Sequence, residues 1–346
     1  MKEVLIFGAG SIGNHLANAS RKIGLSVSVT DISSSALLRM KKKIYPRRYS
    51  KWDTNIKLID YANVFNLEKK FDLIIIGTPP DTHYNLIKKV FKNIAFEKLM
   101  IEKPFSTYQT KFDQKKLNLL SDKKDIFVGY NHSISDAFRY FKKLIEKINK
   151  KDIEIIDVSW KEGWKGILNA HFWNRDEFSS YLGSLQKGGG SAHEHSHGIH
   201  LIACFEKILN FKLPNVFYKF INLKNKNKNL YYDNYISLKW KLENFSISYT
   251  SDLISEPADK SVCIYTKKNK YELIFNYRKN CDLIRITNLR SGFIIIKQFK
   301  KKRSTDFINE IKHILEINSK EKYKNSFIQL KYGLKVQSII NSIFRK

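Results

Sequence analysis

Val4-Leu5-Ile6-Phe7-Gly8-Ala9-Gly10-Ser11-Ile12-Gly13 is an apolar run that stops at one glycine and meets two more by residue 13. The run has the make-up of a buried parallel strand. Beyond it Ile12, Leu16, Ala19 and Ile23 recur at helical spacing, so the glycines fall on a strand-to-helix turn. In such a turn Gly8 permits the sharp bend, Gly10 lets the backbone approach a pyrophosphate, and Gly13 lets the helix lie close to the sheet. Ser11 and Ile12, at the helix start, offer backbone N–H groups and the positive end of the helix dipole to an anion. The next strand, Ser26–Thr30, ends at Asp31. A carboxylate there accepts hydrogen bonds from ribose hydroxyls and repels a 2′-phosphate, so the expected ligand is NAD in preference to NADP. Arg39 and Lys41 nearby soften that preference, and a competing reading makes Asp31 the cap of a helix opening at Ser33-Ser34-Ser35.

At 346 residues with 42% apolar content, the chain is long enough for two globular domains. Lys+Arg number 62 against Asp+Glu 33, a net charge of +29. The lysines are spread along the chain, and the densest groups (Lys41 to Arg48, Lys224 to Lys228, Lys300 to Arg303) read as solvated helix ends and loops. No basic arm marks a nucleic-acid partner, and the positive field favours small anionic ligands such as dinucleotides and nucleotide-linked sugars. Cys204, Cys263 and Cys281 are odd in number and widely spaced, which fits a reducing cytoplasm and not a disulfide framework. No apolar run approaches the ~18–20 residues of a membrane span, and Val4–Phe7 is too short for a signal segment.

Further buried strands end in polar turns. Phe71–Gly77 runs into Thr78-Pro79-Pro80-Asp81-Thr82-His83, where two prolines predict a loop before a helix over Tyr84–Lys92. Lys98–Ile101 ends at Glu102-Lys103-Pro104, and Asp125–Val128 leads to Gly129-Tyr130-Asn131-His132. In an open α/β sheet ligands sit at these carboxyl ends. The glycine turn, Thr78-Pro79-Pro80 with His83, Glu102-Lys103-Pro104 and Gly129-Tyr130-Asn131-His132, in this order and spacing, resemble the glucose–fructose oxidoreductase/inositol dehydrogenase (Gfo/Idh/MocA) family over the first ~135 residues. The resemblance implies that Lys103 contacts a substrate hydroxyl, that Thr78 and Pro79 line the nicotinamide side with His83 and Glu102 at the cofactor edge, and that Asn131 faces the substrate. Ser133 and Asp136 stand where the family often has Arg and Pro, which removes an arginine contact from this loop.

The second half reads differently. A helix over about 135–148 precedes an alternating strand, 152–160, and seven more runs of strand character follow between 215 and 297. They predict a mostly antiparallel sheet with one open face. The Asn/Lys tract at 224–229 reads as a solvated hairpin tip, and Phe307–Ile317 and Phe327–Phe344 as helices. The expected architecture is α/β: a doubly wound parallel Rossmann sheet (1–132), then an α+β domain (133–346) with a large open-faced, mostly antiparallel sheet. A helix of about 325–344 is expected to pack back on the first domain. Family likeness implies a homo-dimer or tetramer.

Gly188-Gly189-Gly190 precedes His193, Glu194, His195, His197 and His200. A helix opening near Ala192 places His193 and His197 on one face, with His200 nearly in line. A zinc site, a solvated cluster and a proton-transfer site all remain open to geometry. The resemblance favours proton transfer: one family pattern, Gly-Gly-Gly-x-x-x-Glu-x-Ser-His, matches Glu194, Ser196 and His197. It implies His197 as general acid/base, oriented by Glu194 or His193, with no metal. His200 stands where an aspartate is usual and is expected near the substrate. Trp160, Trp164, His171, Trp173 and Arg175 form either a sugar- or nucleotide-binding wall, Trp173 and Arg175 foremost, or ordinary loop packing. The expected activity is NAD(H)-dependent interconversion of a secondary alcohol and a ketone on a sugar or nucleotide-linked sugar, in surface-polysaccharide precursor synthesis. The alternatives are an NAD-dependent glycoside hydrolase and a non-catalytic dinucleotide sensor.

Overall fold

Gly8 lies between the first strand of a parallel sheet and the helix Ser11–Lys22. In the computed structural model, which describes residues 1–278, 280–302 and 304–345, the chain divides into two compact units. One is Met1–Asn131 with Ser304–Leu334, the other His132–Arg303 with Lys335–Lys346.

The first unit holds six parallel strands: β1 (Glu3–Phe7), β2 (Ser26–Asp31), β3 (Ile56–Asp60), β4 (Lys70–Ile76), β5 (Ala95–Glu102) and β6 (Asp125–Gly129). Their order is β3-β2-β1-β4-β5-β6. The chain leaves β1 toward β2 on one side and later returns to β4 on the other, so the carboxyl ends of β1 and β4 part at the topological switch point. The unbroken apolar runs of β1, β4 and β5 are buried because helices cover the sheet. The edge strand β3, Ile-Lys-Leu-Ile-Asp, is half-exposed and lacks such a run, which is why it was not legible beforehand.

One boundary differs from expectation. The helix after β4 spans Pro80–Asn93, four residues earlier than predicted. Pro80 occupies the first helical position, where its missing N–H costs nothing and its fixed φ suits the helix. His83 therefore sits in the first helical turn and not in a loop. The tail segment of this unit packs its helix Thr305–Glu316 along the helix Ser11–Lys22, with Phe307 stacked on His15 at 5.1 Å. Beyond it Ile328 O accepts from Val128 N at 2.8 Å and Tyr323 Oη donates to Ile126 O at 2.8 Å, which covers the β6 edge.

The second unit is built on an eight-stranded sheet: β7 (Ile153–Lys161), β8 (Tyr218–Asn227), β9 (Leu230–Lys241), β10 (Ser246–Asp252), β11 (Asp259–Thr266), β12 (Asn269–Arg278), β13 (Cys281–Asn288) and β14 (Ile294–Lys300). The order is β14-β13-β12-β11-β7-β10-β9-β8, antiparallel throughout except for β7 beside β10. The helices Asp136–Ile145 and Ser196–Ile208 pack on it. The Asn/Lys tract is mostly strand, since β8 runs to Asn227 and only Lys228 and Asn229 turn. No helix among the described residues is long and apolar enough to cross a membrane.

Candidate active site

In the first unit the three glycines answer to three different neighbours. Gly8 adopts φ +108°, and a Cβ there would meet Gly77 O at 2.5 Å. A Cβ on Gly13 would lie 1.9 Å from Gly8 O. Both glycines are demanded by the protein's own packing. A Cβ on Gly10 would meet nothing within 4 Å, so that glycine keeps open a space at the start of the helix Ser11–Lys22. Arg48, in the basic group expected to be solvated, lies on the short helix Tyr45–Tyr49 and donates to Ser11 O and Ser11 Oγ, both at 2.8 Å. Asp31 accepts from Ala9 N at 2.8 Å and from Ser33 N at 2.9 Å, so it is tied to the glycine turn. Ser33, and not Asp31, caps the following helix through Ala36 N. An open backbone cradle at a helix N-terminus, with a carboxylate at the next strand end, is what a dinucleotide requires, and these residues fit one.

The same sheet edge continues through β4, β5 and β6. Ile12 Cγ2 lies against Gly77, and the Glu102 side chain runs between Gly77 and Gly129, whose hypothetical Cβ would meet Glu102 Oε1 at 2.9 Å. Glu102 Oε2 accepts from Lys103 N at 3.3 Å, which draws the start of the Lys103-Pro104 turn to the carboxylate. Thr78 Oγ1 meets Thr82 Oγ1 at 2.7 Å, and Pro79 is the exposed residue preceding the helix. His83 is fully buried, with Nε2 2.7 Å from Thr78 O and Nδ1 3.1 Å from Phe105 O. Burial holds its imidazole below its ordinary range. A neutral ring has one N–H, and the shorter contact assigns it to Nε2. His83 thus donates to the turn after β4 and packs against the turn after β5. Its ring has no exposed surface, and both nitrogens face backbone carbonyls. Asn131 is buried, and its Oδ1 makes no hydrogen bond among the described residues.

In the second unit the histidine stretch is anchored by a residue far away in sequence. Gly190 takes φ +87°, and a Cβ there would collide with Asp233 Oδ1 at 1.9 Å. Asp233, on β9, is fully buried and accepts from Ser191 Oγ at 2.9 Å and Ala192 N at 2.7 Å. Burial pushes its carboxyl up to about 7 despite those bonds. The helix so anchored lasts only from Ser191 to Glu194; it breaks at His195 and resumes as Ser196–Ile208. The expected continuous helix face joining His193, His197 and His200 is therefore not formed. His193 lies with Nδ1 3.0 Å from Gly189 O and its ring parallel to Phe344, the setting of a packed core histidine. Tyr249 Oη donates to His195 O at 2.8 Å across the break.

His197 is 9% exposed and sits in an aromatic enclosure. Its ring centroid lies 4.4 Å from His132 and 5.6 Å from Trp160, with Phe275 4.9 Å from His132. The His132 and His197 rings meet edge to face, with 63° between their planes. His132 was quoted in its motif but given no role; nothing in spacing pairs a loop histidine with one 65 residues on. Glu194 is half-buried next to the break. His200 is buried, with its ring nitrogens 3.8 and 3.9 Å from Cys204 Sγ. Trp173 rests against His171 and Phe172, and Arg175 is exposed. Trp164 donates from Nε1 to Tyr232 Oη at 2.9 Å and packs beside Ile167, Leu182 and Leu253. Among the described residues no three His, Cys, Asp or Glu side chains gather as a metal-holding group.

Residues 2–132 match the Gfo/Idh/MocA model, described as an oxidoreductase family with an NAD-binding Rossmann fold; the resemblance read from the glycine turn and the Glu-Lys-Pro element is borne out there. No curated protein sequence matches the chain. Solved structures share the fold over nearly the whole length. An NAD-binding oxidoreductase from Klebsiella pneumoniae superposes with a TM-score of 0.69 at 10% identity, covering 99% of this chain and 95% of its own. A UDP-N-acetylglucosamine 3-dehydrogenase from Acidithiobacillus ferrooxidans gives 0.67 at 11%, covering 98% and 95%. A levoglucosan dehydrogenase in complex with NADH and L-sorbose gives 0.67 at 13%, covering 99% and 95%.

Proposed function

We propose that the protein is an NAD(H)-dependent oxidoreductase that interconverts a secondary alcohol and a ketone on a sugar or nucleotide-linked sugar. The observation that carries this reading is the shared carboxyl edge of one sheet: Gly10's open cradle and Asp31 at one end, Glu102-Lys103 further along. When bound, NAD supplies the hydride acceptor. The chain's residues handle the rest. Oxidation takes a hydride from the carbinol carbon and leaves the hydroxyl proton, which the His197 imidazole accepts. Lys103 donates a hydrogen bond to the same oxygen and steadies its charge as the C=O bond forms. Asp31 favours NAD over NADP, because its carboxylate repels a 2′-phosphate. The net charge of +29 suits an anionic substrate. The two dehydrogenases sharing the fold are named for a UDP-linked sugar and an anhydrosugar. A cytoplasmic homo-oligomer in surface-polysaccharide precursor synthesis is the setting this reading implies.

The test is a spectrophotometric assay of NADH formation and consumption over a panel of uronic acids, free sugars and UDP- or GDP-linked sugars. Reversible turnover with one chemical class supports the proposal. NADH binding with no turnover on any member would contradict it and leave a dinucleotide-binding protein.

A further inference from the structure

Arg48 stands 37 residues past Ser11, on the short helix Tyr45–Tyr49. That helix is held along the helix Ser11–Lys22: Asn18 Nδ2 donates to Tyr45 Oη at 3.1 Å, and His15 Nδ1 lies 2.6 Å from Tyr49 Oη. The docking carries the Arg48 guanidinium back to the start of Ser11–Lys22, where it meets Ser11 O and Ser11 Oγ. A cation there works against the helix, whose N-terminal end is already positive, and the first turn contains no acidic residue. Both positive groups favour an anion at this place. The second contact also decides where the Ser11 hydroxyl points. A guanidinium only donates, so Ser11 Oγ is the acceptor and its single O–H is left to donate elsewhere. Among the described residues that O–H meets no acceptor. Ser11 is half-buried beside Gly10, whose missing Cβ leaves the adjoining space open. The turn itself is held from other sides: Asn14 Nδ2 donates to Gly10 O at 2.7 Å and to Ala9 O at 3.2 Å, and Asp31 accepts from Ala9 N.

We propose that Arg48 is a positioning residue for the cofactor's pyrophosphate. It holds the Ser11 hydroxyl with its O–H turned into the space beside Gly10, where it donates to a pyrophosphate oxygen. The proposal rests on the dinucleotide reading of this cradle and not on the sugar chemistry or on His197. Pyrophosphate is common to NADH and NADPH, whereas a 2′-phosphate belongs to NADPH alone, so the two cofactors tell the anions apart.

The test is fluorescence titration of NADH and NADPH on wild type, Ser11→Ala, Arg48→Met and the double variant. Ser11→Ala and Arg48→Met each weaken NADH binding about tenfold. The double variant binds no more weakly than Arg48→Met, because both changes remove the same hydrogen bond to the ligand. NADPH, where it binds, loses the same factor. Arg48→Lys keeps the charge but not the two-pronged contact, so it binds NADH nearly as weakly as Arg48→Met and takes its place where the methionine variant does not fold. Phosphorus NMR of bound NADH reads the positioning itself: the pyrophosphate resonances shift alike in Ser11→Ala and in the Arg48 variant. Wild-type NADH affinity in Ser11→Ala or in the Arg48 variants, additive losses in the double variant, unshifted pyrophosphate resonances, or a loss confined to NADPH overturns the proposal. A wild type that binds neither cofactor defeats the dinucleotide reading, and the proposal with it.

Discussion

Gly10 and Gly13 look alike in sequence, three residues apart in one motif, yet the structure assigns them to different causes. Gly13→Ala drives a Cβ into Gly8 O at 1.9 Å and is expected to destabilise the fold by about 1–3 kcal/mol, lowering the thermal midpoint. Gly10→Ala meets no protein atom, so its thermal midpoint should stay at the wild-type value while NADH affinity, measured by fluorescence titration, drops at least ~10-fold. Equal effects of both on stability would remove the ligand reading of Gly10. At the histidine cluster the same contrast separates packing from chemistry. His132→Phe keeps a ring against His197 and Trp160 but removes both nitrogens. We expect turnover to fall by ~10-fold or more, the pH profile to move, and NADH affinity to hold. A variant with wild-type turnover would make His132 a packing residue only. The glycine spacing and the Glu-Lys-Pro triplet were legible because each is local in sequence. His132 with His197 and Arg48 on Ser11 were not, since each contact joins residues that only tertiary folding brings together.

Elements tell a similar story. Apolar runs and glycine stops were enough to find β1, β2, β4, β5 and β6, and alternation found most of the second sheet. What the pattern missed was how a helix can start or stop. Pro80 was read as a barrier and is a first helical residue. The histidine helix was read as continuous and breaks at His195. Its short first segment depends on Asp233, a buried strand residue reaching Ser191 and Ala192 across about 40 positions. Asp233 gives a stability signature with a definite sign. Its carboxyl titrates at about 7 in the fold against 3.8 ordinarily. Between those values the folded chain holds a proton that the unfolded chain has released. Stability from this group is therefore complete below about pH 4 and declines as pH rises through about 7. Asp233→Asn keeps an oxygen for Ala192 N and removes the titration, so its urea-unfolding free energy should lack that downward slope between pH 4 and 7. An unchanged slope would contradict the assignment.

Across the whole molecule, the composition marked a two-domain α/β protein but not how its tail is shared. Ser304–Leu334 belongs with the N-terminal strands, and the residues from Lys335 onward belong with the second unit. The helix expected at about 325–344 to pack on the first domain is Leu330–Phe344, and from Lys335 on it groups with the second unit, because apolar periodicity shows that a tail is helical without fixing which surface it covers. The charge of +29 likewise says which ligands are welcome and not where they bind. Its dispersed lysines lead to a simple expectation: NADH affinity weakens moderately with added salt, through general screening. The steep loss expected of a surface that neutralises many phosphates should be absent.

The central claim is that hydride transfer in this chain needs a proton acceptor at His197 and a hydrogen-bond donor at Lys103. The most direct measurement is single-turnover NADH formation, by stopped flow, in wild type, His197→Asn and Lys103→Met with the substrate found in the panel. The account predicts unchanged NADH affinity in both variants and a loss of ~100-fold or more in the rate of NADH formation. Wild-type rates in the two variants would contradict it.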